Sequence, residues 1–153
     1  MPSPRTHVAK RIVEARERAG ASGMDLAQKL GISIAAYDDL EAYDHEAYMC
    51  VSLDQLRSLA LLLKVSLRAL LSPGEASLDN GDLSPSELVR RIRNYLHTHS
   101  LSIEQFEKQV GWAISPVMEN PDALWQTWNV DALHDVCVPL EVSWLTVLPK
   151  CAA

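Results

Sequence analysis

The sequence predicts an all-α protein made of two similar helical units. Apolar residues recur at the helical spacing of about 3.6 residues in almost every segment, and serines that can cap helices stand before most of these segments. No stretch alternates between apolar and polar residues for long enough to form a sheet strand. The helical pattern also runs through the chain twice, with caps, apolar positions and a turn glycine in the same order.

Each helix of the first half has a start signal in the sequence. Val8 and Ile12 begin an apolar stripe that predicts the first helix. The four helices that follow are predicted to begin after Ser22, Ser33, Ser52 and Ser66. Gly31 ends the second helix, the third runs to about Tyr43, and the fifth covers residues 67–71. The first half is therefore predicted to be a five-helix unit.

A change in composition separates the two halves. Residues 73–83 are rich in Pro, Gly, Asp and Asn, which is typical of a linker. The Ser-Pro-Ser-Glu sequence of residues 84–87 then starts a helix, with a serine cap and a proline at the first helical position. We therefore expect a first domain at residues 1–72, a linker at 73–83 and a second domain at 84–153.

Composition places the chain among ordinary globular proteins. It has 153 residues, 48% of them hydrophobic, so a core can form without disulfides or metals. The net charge of −6 argues against a general nucleic-acid binder. Cys50, Cys137 and Cys151 are widely spaced and odd in number, which favours reduced thiols.

The sequence also carries no signal for a membrane. No apolar run reaches the roughly 20 residues of a membrane helix. The N-terminal residues lack the apolar stretch of a signal peptide. A cytoplasmic location without membrane association is therefore expected.

Three stretches of the first unit form a recognisable motif: residues 26–33 (Leu-Ala-Gln-Lys-Leu-Gly-Ile-Ser), 39–41 (Asp-Leu-Glu) and 63–71 (Leu-Lys-Val-Ser-Leu-Arg-Ala-Leu-Leu). With these stretches, residues 8–71 resemble the Cro/CI-type (XRE) helix-turn-helix family. The resemblance implies that the small side chain of Ala27 lets two helices cross closely and that Gly31 makes the tight turn between them. It also implies a structural ion pair between Arg16 and Glu41.

The second unit, about residues 88–148, resembles the same family more faintly. It keeps the cap and first turn at residues 102–106 and the turn glycine, Gly111. Glu107 replaces the small alanine, and Pro139 interrupts the helix equivalent to the fourth helix of the first unit. The expected fold is thus two tandem five-helix lambda-repressor-like (XRE-type) units, the second of them degenerate.

The third helix of the first unit lacks the chemistry of a DNA-reading helix. In operator-binding proteins of this fold, that helix enters the major groove and needs hydrogen-bond donors for bases and cations for phosphates. Here the positions expected to face bases hold Ile34, Ala35 and Asp39. No Lys or Arg occurs between Lys29 and Arg57. The sequence therefore favours protein binding over DNA binding.

Tyrosines and carboxylates are interleaved along and after this helix, a combination that suits binding of a basic protein. The predicted partner-binding residues are Tyr37, Asp38, Asp39, Tyr43, Asp44, Glu46 and Tyr48. For Tyr37, packing on the core of its own unit is the alternative. The predicted function is that of an antitoxin-like or immunity-like inhibitor, or of a regulator that sequesters a basic toxin, effector or regulatory protein.

Two other functions stay open. The chain could be an XRE-family repressor that contacts DNA through its Arg-rich first helices or as a dimer. The candidate DNA-binding residues are then Arg11, Arg18, Ser33, Ile34, Ala35 and Asp39. The third alternative is a purely structural interaction or dimerisation module.

No catalytic or cofactor-binding pattern is present in the sequence. His97 and His99 point to different faces of a helix and, with His134, lack the spacing of three or four that helical metal ligands need. The cysteines lack CxxC spacing, and there is no glycine-rich phosphate loop. We therefore expect no enzyme activity, no metal and no cofactor.

Two apolar features leave alternatives open. The leucine-rich run ending at Leu63 exceeds what one helix face can bury, so Leu61 or Leu62 is expected to meet the second unit or, as the next choice, a homodimer partner. Trp125 and Trp128 lie in the connection before the fourth helix of the second unit. They form either a lid on the core or an exposed binding patch.

Overall fold

The computed structural model describes residues 7–76 and 81–150, and all regular structure in these two ranges is helical. The helices are α1 (Val8–Ala19), α2 (Gly23–Leu30), α3 (Ile34–Ala42), α4 (Glu46–Met49), α5 (Leu53–Leu63), α6 (Leu67–Leu71), α7 (Pro73–Ala76), α8 (Pro85–Thr98), α9 (Ile103–Val110), α10 (Ser115–Glu119), α11 (Leu124–Thr127) and α12 (Val130–Cys137). Two 3-10 turns cover Pro121–Ala123 and Trp144–Val147. The predicted all-α class is confirmed.

Serine caps start the helices as predicted. Ser22, Ser33, Ser52, Ser66, Ser84 and Ser102 each accept a hydrogen bond from the backbone N–H three residues further on, at 3.0 to 3.3 Å. At Ser52 and Ser102 a glutamine closes a full capping box. Each such cap contributes about 1 kcal/mol, which is why these helix starts are readable from the sequence.

The turn glycines also have the conformation that their positions require. Gly31 follows α2 with φ +72°, and Gly111 follows α9 with φ +83°. Both values lie in the left-handed region, where a side chain would be strained. Each glycine lets the chain leave one helix and begin the next within three or four residues.

Several short elements differ from the prediction. The first half contains α4 and α7 in addition to the five predicted helices, and α7 lies inside the segment predicted to be a linker. The last helix predicted for the second half is a 3-10 turn. As predicted from Pro139, α12 ends early, at Cys137. Residues 77–80 of the predicted linker and Cys151 lie outside the described residues.

The two halves share one hydrophobic core. Helix α5 lies against α11, and α4 lies against α12. The N–H of Leu53 donates to the carbonyl of Trp128 at 2.9 Å, and the side-chain amide of Asn129 donates to the carbonyl of Met49 at 3.0 Å. The halves therefore pack directly against each other through both backbone and side chains.

The tryptophans before α12 belong to this packing. Trp128 is buried, and its indole N–H donates to the carbonyl of Ala113 at 3.1 Å. The guanidinium of Arg57 lies over the ring of Trp125, 4.3 Å from its centroid. Of the two alternatives for this pair, the structure supports the lid on the core.

A buried arginine ties α6 to the C-terminal segment. Arg68 is only 3% exposed. Its guanidinium donates to the carbonyls of Leu148 (2.8 Å), Gly81 (3.1 Å) and Thr146 (3.2 Å), and to the carboxylate of Asp82 (3.1 Å). A buried cation is costly unless its donors are satisfied, and here two acceptors from residues 81–82 and two from the C-terminal segment satisfy it.

The leucine-rich end of α5 is divided between core and surface. Leu62 is partly buried and packs against the core, whereas Leu61 is exposed. Among the helices of residues 7–76 and 81–150, none combines the length and the apolar character that crossing a membrane requires.

Candidate functional site

Helix α3 is held by one face and exposed on the other. Tyr37 and Leu40 are buried and pack it against α1 and α2. The exposed residues of α3 include Ile34, Ala35, Asp38 and Asp39, and Tyr43 follows the helix as a further exposed residue. These five residues are called the α3 face below.

An ion pair fixes the back of α3. Two guanidinium nitrogens of Arg16 donate to the carboxylate of Glu41, the second bond measuring 3.3 Å. The hydroxyl of Tyr37 donates to the same carboxylate at 2.9 Å. Burial, followed by the hydrogen bond to Glu41, raises the pKa of Tyr37, so its hydroxyl stays protonated. The predicted structural pair of Arg16 and Glu41 is confirmed.

Two tyrosines predicted to contact a partner are not on the surface. Tyr37 is 0% exposed and Tyr48 is 2% exposed. The hydroxyl of Tyr48 donates to the carbonyl of Leu71 at 2.8 Å. Both rings fill the core and both hydroxyls are satisfied internally, so the prediction that they bind a partner is wrong. The alternative that Tyr37 packs on its own core is confirmed.

Asp44 serves the start of α1. Its two carboxylate oxygens accept hydrogen bonds from the backbone N–H groups of His7 and Ala9, both at 3.0 Å. Partial burial acts to raise the pKa of Asp44, but these hydrogen bonds outweigh it and lower the pKa below its ordinary value. His7, the residue before α1, makes no side-chain capping hydrogen bond. The carboxylate of Asp44 caps the helix instead and so stabilises the fold.

Glu46 is also drawn into the fold. Its side chain is largely buried, with one oxygen 3.5 Å from a ring nitrogen of His45. A hydrogen bond between the Cys50 thiol and Glu46, followed by burial, raises the pKa of that thiol. The charge of Asp39 contributes in the same direction, and helix α4 lies against α3. Of the predicted acidic residues, Asp38 and Asp39 therefore remain available to a partner.

The surface around these two carboxylates is partly apolar. Ile34 is 49% exposed and Tyr43 is 54% exposed. Met49, at the end of α4, is exposed as well, although sequence reasoning did not select it. A four-residue helix has no periodicity to reveal which of its side chains faces outward, so the sequence offered no signal for Met49.

The residues proposed for DNA contact have different roles in the structure. Arg11 donates to the carbonyls of Leu70 (2.7 Å) and Leu71 (3.4 Å), so it serves the end of α6. Ser33 caps α3, and Arg18 is exposed in the last turn of α1. The structure therefore corrects the assignment of Arg11, whose guanidinium is directed to the protein's own backbone.

The α3 face offers acceptors and apolar area but no cation. Within the described ranges, no Lys, Arg or His pairs with Asp38 or Asp39. Two uncompensated carboxylates beside exposed apolar side chains suit a cationic partner and repel phosphate. In the same part of the chain, no three His, Cys, Asp or Glu side chains form a group that could hold a metal ion.

Comparison with known proteins adds no relative to this description. No protein-family model, no curated protein and no solved structure matches the chain.

Proposed function

We propose that this chain is a non-enzymatic binding protein whose α3 face binds a basic protein. It acts as an antitoxin-like or immunity-like inhibitor, or as a regulator that sequesters its partner. In this proposal its fold is two tandem XRE-type helix-turn-helix units, of which the second is degenerate. The observation that supports it most is the pair of exposed carboxylates, Asp38 and Asp39, without a cationic neighbour.

The neighbouring apolar area supports a protein partner over a small cation. Ile34 and Tyr43 each leave about half of their surface exposed on the same α3 face. Interfaces gain most of their energy from such anchors, and tyrosine contributes large area with few rotors. Carboxylates beside the anchors speed association with a basic surface and disfavour acidic competitors.

The partly buried ion pair between Arg16 and Glu41 holds the helix beneath this surface in place. Arg16 and Tyr37 both hold Glu41, two residues before Tyr43, so the helix that carries Asp38 and Asp39 is fixed against α1. A fixed helix loses little conformational entropy on binding. This arrangement supports a preformed site.

A DNA-binding repressor of the XRE family is the second candidate. It is favoured by exposed cations away from α3, namely Arg18 on α1 and Arg90 on α8. In that case the duplex would contact α1 or α8, since α3 presents carboxylates to it.

A charge reversal on the α3 face separates the two candidates. The double substitution Asp38→Lys with Asp39→Lys is compared with Glu104→Lys with Asp122→Lys, which changes the net charge equally on the other half. Tagged proteins are used to capture partners from extracts of the native host, and retained proteins are quantified by mass spectrometry. We expect the α3 reversal to lower the amount of captured basic protein at least tenfold, and the control variant to capture as much as the wild type.

The same three proteins are tested on a pool of fluorescent duplex DNA at low salt. We expect the wild type not to bind, and the two reversed variants to gain the same weak, salt-sensitive affinity. Saturable binding of duplex by the wild type would contradict the proposal and favour the repressor.

A further inference from the structure

Two adjoining clefts open in the second half, between α8, α9 and the chain that follows α12. Their volumes are about 500 and 670 Å³, and they share Tyr95 and Pro139. The first is lined by polar groups that include Arg91, Asn94, His99 and Glu141. The second is lined by Val110 and Val138 together with Gln109, His134 and Asp135, and the carboxylate of Asp135 accepts a hydrogen bond from the indole N–H of Trp112 at 2.8 Å. Together they form one site, with Arg91 and Glu141 in one cleft and the two valines in the other.

The early end of α12 accounts for the apolar cleft. Because Pro139 cannot continue the helix, α12 stops at Cys137 and the chain turns away. Val138 is left exposed, although its side chain is apolar. The turn then places Glu141 at φ +55°, a left-handed conformation that is unfavourable for a residue other than glycine.

Tyr95 forms a rigid wall between the two clefts. Its ring packs edge-on against the buried ring of Phe106, with centroids 5.5 Å apart, and lies 4.2 Å from the ring of His99. Its hydroxyl accepts a hydrogen bond from the side-chain amide of Gln109 at 3.1 Å. The ring is thus held from three sides, which leaves a preformed aromatic surface for a ligand.

The charged end contains one cation and one anion. Arg91 and Glu141 line the same cleft, yet no ion pair joins them and neither side chain has another charged partner within residues 7–76 and 81–150. A guanidinium binds a carboxylate in bidentate fashion, and a carboxylate binds an ammonium group. The two groups together therefore suit a zwitterion.

We propose that this cleft binds a free aromatic α-amino acid. The ligand's carboxylate contacts Arg91, its ammonium group contacts Glu141, and its ring lies against Tyr95 in the apolar cleft beside Val110 and Val138. This binding site is independent of the α3 face and of any partner that binds there.

The test uses three related ligands with the full-length protein. L-Phenylalanine carries both charges, 3-phenylpropionate lacks the ammonium group, and phenethylamine lacks the carboxylate. Binding is measured by NMR titration and calorimetry on the wild type, on Arg91→Gln and on Glu141→Gln. The control variants are Arg90→Gln and Glu119→Gln, exposed residues that do not line either cleft.

The expected results form a crossed pattern. Arg91→Gln lowers the affinity for L-phenylalanine and for 3-phenylpropionate about tenfold, because one charge-assisted contact is lost. The affinity for phenethylamine does not change. Glu141→Gln lowers the affinity for L-phenylalanine and for phenethylamine to a similar extent, and the affinity for 3-phenylpropionate does not change. Both controls bind all three ligands as the wild type does.

Other patterns overturn the proposal. The inference fails if L-phenylalanine gives no saturable shift at about 5 mM. It also fails if the Arg91 and Glu141 variants bind as the controls do, or if all four variants lose affinity equally. Because these four side chains are exposed, the fold is expected to survive each substitution, and circular dichroism verifies this.

Discussion

Ala27 lies in the second helix of the first half and Glu107 in the second helix of the second half, at positions that the predicted repeat aligns, and their surroundings differ. Ala27 is buried in α2, where the helix packs on α3 and α5. Glu107 is half-buried in α9, and its carboxylate accepts hydrogen bonds from the N–H groups of Ile114 (2.7 Å) and Ser115 (3.4 Å). One half thus uses the position for close packing, and the other uses it to cap the next helix.

The attachment of the third helix differs in the same way. In the first half, a two-bond ion pair between Arg16 and Glu41 joins α1 to α3. In the second half, Arg93 of α8 donates to the carbonyl of Met118 in α10 at 3.0 Å. A similar order of helices is therefore held by charge pairing in one half and by bonds to the backbone in the other.

The largest effect is expected for Ala27→Glu, which gives the first half the glutamate that the second half has at position 107. The carboxylate would enter a buried, closely packed site, so we expect a loss of about 4 kcal/mol or more. Urea unfolding followed by circular dichroism measures it. The matched control is Gln28→Glu on the exposed side of α2, with an expected change within about 0.5 kcal/mol. A loss below about 1 kcal/mol for Ala27→Glu would refute the packing argument.

Arg68→Ala tests the connection between the halves. It leaves the carbonyls of Leu148, Thr146 and Gly81 without their donor in a buried site, and we expect a loss of about 3 kcal/mol. Arg90→Ala, on the exposed side of α8, is expected to change the free energy of unfolding by no more than about 0.5 kcal/mol. Equal effects of the two substitutions would show that the connection contributes little.

Glu107→Ala places in the second half the residue that the first half has at position 27, and it is expected to destabilise the protein. The N–H of buried Ile114 loses its acceptor, which costs about 1.5 kcal/mol. Glu107→Gln keeps an acceptor oxygen and should lose less. Glu104→Ala, an exposed residue of the same helix, is the control. An unchanged or increased stability for Glu107→Ala would mean that the cap is dispensable.

The smallest effect concerns how α1 and α8 begin. Asp44 caps α1 from a distant segment, whereas Ser84 caps α8 locally. Asp44→Asn and Ser84→Ala are each expected to cost about 1 kcal/mol at pH 7, measured by urea unfolding.

The two caps should differ in their dependence on pH. The folded-state pKa of Asp44 lies below the ordinary value of about 3.9, so its contribution is complete above that value and is lost as pH falls through the folded pKa. The deficit of Asp44→Asn is therefore constant from pH 7 to about 5 and shrinks below about 4, whereas that of Ser84→Ala persists. A deficit of Asp44→Asn that does not change with pH would contradict the assigned cap.

Sequence reasoning succeeded where structure is determined locally. The serine caps, Gly31, the end of α12 before Pro139 and the pair of Arg16 with Glu41 all depend on short-range geometry or on one recognisable motif. The four-residue helices α4 and α7 were missed because such short helices depend on tertiary packing and show no periodicity.

The candidate site was predicted only in part for a related reason. Asp38 and Asp39 are exposed as expected, but Tyr37, Tyr48 and Asp44 are used by the fold. Interleaved tyrosines and carboxylates have the same pattern whether they face solvent or a neighbouring helix. The partners that decide between these outcomes, such as the carbonyl of Leu71 or the N–H of His7, come from distant parts of the chain.

The reach of Arg68 has a consequence for synthesis on the ribosome. Helix α6 is synthesised long before Thr146 and Leu148. The guanidinium of Arg68 therefore stays hydrated until these two acceptors have been translated. Until then the first half also lacks its contacts with the second half, such as the hydrogen bond from Leu53 to Trp128. The contact between the two halves therefore cannot be completed before residue 148 has been translated, and a fragment released earlier would expose to chaperones and proteases the apolar surface that the second half covers.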